Sequence, residues 1–103
     1  MAHITGGGIP GNLVRVLPQD VTAVVRRGTW EVPPVFRLIQ RLGRVGETEM
    51  HHVFNMGIGW ILAVDPAVAD SWAADLDRDG WGARIIGEIR AGGPRSVHLT
   101  EAS

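Results

Sequence analysis

Three successive glycines follow His3-Ile4-Thr5 at the start of the chain, and Gly6-Gly7-Gly8 constrains the fold more than any other stretch. Such a run carries no side chains to pack and admits positive φ, so bare backbone comes up against whatever it faces. Asn12-Leu13-Val14-Arg15-Val16-Leu17 then predicts a short helix ended by Pro18. A glycine loop feeding a helix is either a plain tight turn or an anion site built from backbone N–H groups. A P-loop is excluded: it needs a lysine after its last glycine, and all ten basic residues are arginine. A self-sufficient domain would lay down a strand or helix before such a loop, so a scaffold is expected ahead of His3.

With 103 residues the chain has room for one domain. A net charge of -1 offers no electrostatic argument for nucleic acid or for acidic membranes. The absence of cysteine excludes disulfides, thiolate metal sites and thiol nucleophiles, and fits a cytoplasmic protein. No signal peptide and no apolar run long enough to cross a bilayer is present in the sequence.

Along the chain, elements alternate without a linker. The β-branched run Val21–Arg26 predicts a strand. Pro33-Pro34 leads into Val35, Leu38, Ile39 and Leu42, spaced as the apolar face of a helix stopped by Gly43. Thr48 is placed to cap a second helix with Met50, Val53 and Phe54 on one face. Residues 58–64 are apolar on both alternating faces and predict a central strand covered on both sides. Asp65-Pro66 is a cap and first-turn proline for a longer helix carrying Val68, Trp72 and Leu76 and closed by Gly80. Strands over residues 83–90 and 96–100, joined by Ala91-Gly92-Gly93-Pro94, predict an antiparallel hairpin. This order predicts a layered α+β domain with a mixed or antiparallel sheet, short of strands.

His3-Ile4-Thr5-Gly6-Gly7-Gly8, Asn12, Arg15-Val16-Leu17-Pro18, Trp30, Pro33, Phe36, Glu49-Met50 and Phe54-Asn55-Met56-Gly57-Ile58-Gly59, in that order and spacing, resemble the C-terminal part of the phosphoribosylformylglycinamidine cyclo-ligase family. The resemblance covers residues 2–97. Thiamine phosphate kinase, selenophosphate synthetase and a hydrogenase maturation protein share the superfamily architecture but fit Trp30, Pro33, Phe36 and residues 54–59 less well. Pro10-Gly11 departs from the family pattern and is expected to delay the helix start, and Trp60 stands where a smaller or more flexible apolar residue is expected.

The resemblance implies an enzyme of purine biosynthesis that closes the imidazole ring of aminoimidazole ribonucleotide from formylglycinamidine ribonucleotide, using ATP and magnesium. It also implies a first domain that supplies most nucleotide and magnesium contacts and the homodimer interface. Residues 1–103 would then be a single, incomplete substrate-side domain, inactive alone, with the missing N-terminal domain and the ribonucleotide as partners. A stand-alone anion-binding or oligomerisation module without chemistry is the alternative.

Each candidate site residue has two readings. Gly6, Gly7 and Gly8 cradle a phosphate or make a turn. His3 donates to a phosphate, shuttles a proton as a catalytic group, or holds the loop's shape. Thr5 is a hydroxyl donor to the same anion or a local backbone cap. Asn12 accepts from loop N–H groups or caps the helix, in a structural role. Arg15 supplies positive charge or is solvated. Asn55, Gly57 and Gly59 allow a ligand, or a packed element, to approach the backbone. His51 and His52 are adjacent and point about 100° apart on a helix, so no His-His metal site is expected. Asp75, Asp77 and Asp79 resemble half a calcium loop, but its twelfth position falls on Ile86, and a solvated helix face is the better reading.

Overall fold

The computed structural model describes residues 1–100. Two sheets and four helices make up the α+β fold, in the order β1 (Ala2–His3), α1 (Gly8–Leu13), β2 (Val21–Arg26), α2 (Pro34–Gly43), α3 (Glu47–Val53), β3 (Trp60–Ile61), α4 (Pro66–Arg78), β4 (Gly87–Ala91) and β5 (Ser96–Thr100).

The first helix differs from its expected span. It begins at Gly8 and ends at Leu13, and a 3-10 turn over Val14–Val16 carries the chain towards Pro18. Pro10 does not delay it, because the first N–H groups of a helix have no intrahelical acceptor and the missing one costs nothing there. Gly46, not Thr48, occupies the cap of α3, and no side chain caps it. The left-handed residue that ends α2 is Arg44 (φ 53°), one position beyond Gly43. The signals for α4 hold throughout: the Asp65 carboxylate accepts from the Ala67 N–H at 2.8 Å, and Gly80 closes the end with φ 92°.

Two expectations about the sheets are corrected. The Asp20–Pro94 side of the molecule contains no hairpin: β2 lies between β4 and β5, antiparallel to β4 and parallel to β5, and the fourth strand begins at Gly87 instead of residue 83. The connection at residues 91–94 therefore spans the end of β2. Gly92 donates to the Asp20 carbonyl (2.9 Å) and Thr22 Oγ1 to the Pro94 carbonyl (2.7 Å), so β2 supplies the partners that a hairpin would have supplied itself. The apolar run 58–64 forms only the two-residue β3, paired antiparallel with β1 and register His3↔Trp60. It is not covered on both sides, as Trp60 is 59% and Leu62 46% exposed.

The core joins the start of the chain to the centre of the three-stranded sheet. Ala2, Ile4, Ile9, Leu13, Leu17, Ala23 and Val25 are buried together, with Trp30, Ile58, Val97 and Leu99 packed around them. Met50 and Met56 are fully buried. The glycine loop is thus mounted directly on the best-packed part of the molecule. No helix among the described residues is long and apolar enough to cross a membrane.

Candidate functional site

The loop before α1 is a turn of defined shape. Gly8 N–H donates to the Thr5 carbonyl at 3.0 Å, and Gly7, with φ 98° and ψ −10°, takes the third position of a type II turn, which requires positive φ. Gly8 is also left-handed (φ 65°), and a Cβ there would collide with the carbonyl oxygen of His51. Its glycine is dictated by the close approach of α1 to α3. Gly6 has open space around it.

Asn12 fixes which way the loop's peptides face. Its buried Nδ2 donates to the carbonyls of Thr5 (3.2 Å), Gly6 (3.2 Å) and Gly8 (2.8 Å), and its Oδ1 accepts from the Thr5 hydroxyl at 3.4 Å. The role is structural, as expected, but with opposite polarity: Asn12 gathers carbonyls instead of N–H groups. In a trans peptide the C=O and the following N–H point in opposite directions. With the Thr5 and Gly6 carbonyls turned inward, the N–H groups of Gly6 and Gly7 turn outward, on exposed residues and without an acceptor among the described residues. The loop presents two adjacent donors on a backbone that one side chain holds in place.

The second candidate set lies beside the first. Ile4 N–H donates to the Gly59 carbonyl at 2.8 Å, and His3 stacks on Trp60 with ring centroids 4.3 Å apart and planes 11° from parallel. Gly57 donates to the Asn55 side-chain oxygen at 2.9 Å, and its positive φ (96°) and tight contact with Pro33 make it a packing glycine. The Trp30 indole N–H donates to the Met56 carbonyl at 3.1 Å and ties that turn to the core. Asn55 and Gly57 are accounted for by local structure; His3 and Thr5 flank the outward amides. Arg15 is exposed on the 3-10 turn, and no hydrogen bond or ion pair among the described residues brings it to the loop.

A cleft of about 520 Å³ opens elsewhere, bordered by Arg27, Trp30, Arg37, Glu47, Thr48 and His51. Sequence reasoning missed it, because its residues come from the segment after β2, from α2 and from α3, and only the i, i+4 spacing of Glu47 and His51 hinted at a shared face. Arg37 donates to both Glu47 carboxylate oxygens (3.1 and 2.9 Å) and Gln40 to one (3.0 Å). Partial burial pushes the Glu47 carboxyl upward, but hydrogen bonds from Gln40 and Arg37 and the charges of Arg37 and His51 outweigh it and hold the group below its usual range. Asp75, Asp77 and Asp79 close α4 in the manner of a solvated face, with Asp75 paired to Arg78 and Asp77 to Arg84. No group of three or more metal-ligating side chains converges among the described residues.

Residues 1–100 match the family model of the AIR synthase related protein, C-terminal domain. Similar curated proteins include a phosphoribosylformylglycinamidine cyclo-ligase of Thermodesulfovibrio yellowstonii, 48% identical over 96% of this chain and 29% of its own length. One of Nitrosospira multiformis is 48% identical over 94% of this chain and 28% of its own. One of Cupriavidus necator is 50% identical over 87% and 26%. The chain spans less than a third of the length of these relatives.

Proposed function

Because the chain belongs to the family of AIR synthase related protein C-terminal domains, we propose that it supplies the glycine-loop portion of an ATP-dependent phosphoribosylformylglycinamidine cyclo-ligase. In that reading residues 1–103 are the closing portion of a substrate-side domain. They act in the cytoplasm together with the further domain that the length of the relatives leaves room for.

The observation that carries this reading is the pair of outward N–H groups at Gly6 and Gly7, held by Asn12. Two adjacent amides on an open loop suit one phosphate oxygen or two neighbouring ones. His3, stacked against Trp60 on the strand leading into the loop, is placed to add an imidazole donor, while the Thr5 hydroxyl gives its hydrogen to Asn12 and helps to hold the loop. Gly8, Asn55 and Gly57 serve the shape of the site, and Gly59 anchors the loop's strand through its carbonyl. Arg15 is left out of the site.

The chemistry asked of such a site is orientation. Phosphorylation of the formyl oxygen by ATP turns it into a leaving group, after which the amidine nitrogen of the same substrate attacks the formyl carbon and phosphate departs. With both reacting groups in one molecule, holding its phosphate fixed while the chain folds into a near-attack geometry supplies much of the acceleration. The donors at the loop, backbone N–H groups and an imidazole, are of the kind that suits a phosphate.

Titrating formylglycinamidine ribonucleotide, then ATP, into the chain while following the Gly6 and Gly7 amides by NMR tests the reading. Saturable shifts confined to the loop are expected with the ribonucleotide, and their loss in Asn12→Ala at retained fold. Silence at both amides with both ligands would overturn binding by this loop alone. Turnover by the isolated chain would overturn the need for a further domain.

A further inference from the structure

We propose that the free edge of β4 is a dimerisation surface, on which a second copy of this chain adds its own β4, antiparallel and centred on Ile89. The surface is separate from the glycine loop and does not depend on a ligand bound there.

The pairing with β2 decides which backbone groups of β4 face outward. Arg26 N–H donates to the Ile86 carbonyl (2.7 Å) and Gly92 N–H to the Asp20 carbonyl (2.9 Å), and between them the register runs through Thr22↔Arg90 and Val24↔Glu88. In an antiparallel pair, opposed residues that exchange both hydrogen bonds alternate with opposed residues that exchange none. Ile86, Glu88, Arg90 and Gly92 therefore turn their N–H and C=O groups to β2, and Gly87, Ile89 and Ala91 turn theirs away from it. These outward groups meet no acceptor or donor among the described residues. At the opposite edge of the sheet β5 is met by α1, whereas β4 packs closely against β2 alone. Residues 88–91 are exposed. The strand carries no proline, lysine or bulge of the kind that closes an edge to another strand.

The two charges of β4 specify a second copy as the occupant. Outward groups must meet outward groups, so Gly87, Ile89 and Ala91 can pair only with one another. Two β4 strands set antiparallel about Ile89 oppose Ile89 to Ile89 and Gly87 to Ala91, each pair exchanging both hydrogen bonds. Glu88 then falls opposite Arg90 of the second copy, at the non-hydrogen-bonded positions where side chains come closest, and the two-fold axis repeats the pair. Within one chain Glu88 accepts from Arg26 and Arg90 through Oε1 alone (2.6 and 2.7 Å), so Oε2 is left for the guanidinium across the edge. Sliding the strands to either of the nearest registers that keep the hydrogen bonds sets Glu88 against Glu88 or Arg90 against Arg90, and like charges directly opposite repel. Gly87-Glu88-Ile89-Arg90-Ala91 is thus self-complementary in one register and self-repelling in its two neighbours. On the other face of the ribbon the two Ile89 side chains, each 44% exposed, cover one another. The contact uses the same patch on both copies, so it closes as a dimer.

Sedimentation of the chain from roughly 10 μM to 1 mM reads the mass, and amide hydrogen exchange at both ends of that range reads the place of contact. A monomer–dimer equilibrium is expected, with the Gly87, Ile89 and Ala91 amides protected only in the dimer and those of Glu88 and Arg90, which bond to β2, protected in both states. Arg90→Glu, at an exposed side chain, is expected to weaken dimerisation about tenfold, and adding Glu88→Arg to it to restore the parent affinity, because the swapped charges complement each other again. A monomer throughout the range overturns the proposal. So does a dimer whose Ile89 amide exchanges freely, which places the contact on another surface, such as the apolar face of α2. Protection of that amide in the monomer overturns it too, since the edge is then covered within one chain. Equal affinity in Arg90→Glu and the parent overturns the register, and with it the choice of a second copy as the partner.

Discussion

Helices α1 and α3 and helices α2 and α4 all carry an apolar face, but they meet different fates. Ile9, Leu13 and Met50 on the first pair are 3% exposed or less, whereas α2 and α4 contribute no buried residue at all. Leu42 at the end of α2 is 75% exposed, and Trp72 in the middle of α4 is 49% exposed. The difference is not one of pattern, since the best-formed caps belong to the exposed helix α4. An amphipathic sequence specifies that a face exists; burial depends on an element that can be brought against it. Around the glycine loop that element is present twice over, as β5 on one side and α3 on the other.

Substitutions can break or sharpen this contrast. The largest effect belongs to Gly8→Ala, where the new methyl meets the His51 carbonyl and the backbone is left-handed: a loss of about 4 kcal/mol or more in urea unfolding is expected. Gly6→Ala, two residues away with open space around it, should stay within about 0.5 kcal/mol. Ile9→Ala removes a fully buried side chain and should cost about 3 kcal/mol by the same measurement. Asn12→Ala removes the side-chain bonds to the Thr5, Gly6 and Gly8 carbonyls, for about 2 kcal/mol. Trp72→Gln should cost less than about 1 kcal/mol, and a loss of twice that would show that α4 is packed in solution as α1 is.

The smallest effect is a pH dependence. The Glu47 carboxyl is held below its unfolded value of 4.5, so its ion pairs stabilise the fold fully above that value, and the contribution is lost as pH falls through the folded-state value. Glu47 is more than a third exposed, which limits the contribution to a few tenths of a kcal/mol. Comparing unfolding of the parent chain with Glu47→Gln across pH should show the parent's advantage above pH 4.5 and its fading as the pH falls below that value.

Local signals in the sequence were reliable where the structure is decided locally. Asp65-Pro66 and Gly80 bound α4, and Pro33-Pro34 starts α2 almost where expected, because caps and prolines act within one turn. The failures share a cause. Ala91-Gly92-Gly93-Pro94 has the composition of a hairpin turn, yet the residues it must satisfy are Asp20 and Thr22, far away in the chain. Residues 58–64 are apolar enough for a central strand, but only two of them find a partner, at β1. The site was legible in the same uneven way. The glycine loop announced itself by composition, and the role of Asn12 as a lock was within reach, though not that it would bind carbonyls. The cleft at His51 was hidden, since Arg27, Arg37 and Glu47 become neighbours only after the segment following β2, α2 and α3 have come together.

The position of β2 in the middle of its sheet also sets the order in which the molecule can be made. Thr22 pairs with Ser96 across 74 positions, and the antiparallel neighbour β4 comes scarcely sooner. During synthesis β2 emerges with both edges bare and must wait for residues 87–100 before either is covered. Contacts of such long sequence separation slow folding, and an uncovered β-branched strand is the kind of segment that pairs with the wrong chain. A ribosome stalled before residue 87 would therefore hold a nascent chain in which the three-stranded sheet has not formed, and chaperone demand should peak in that interval.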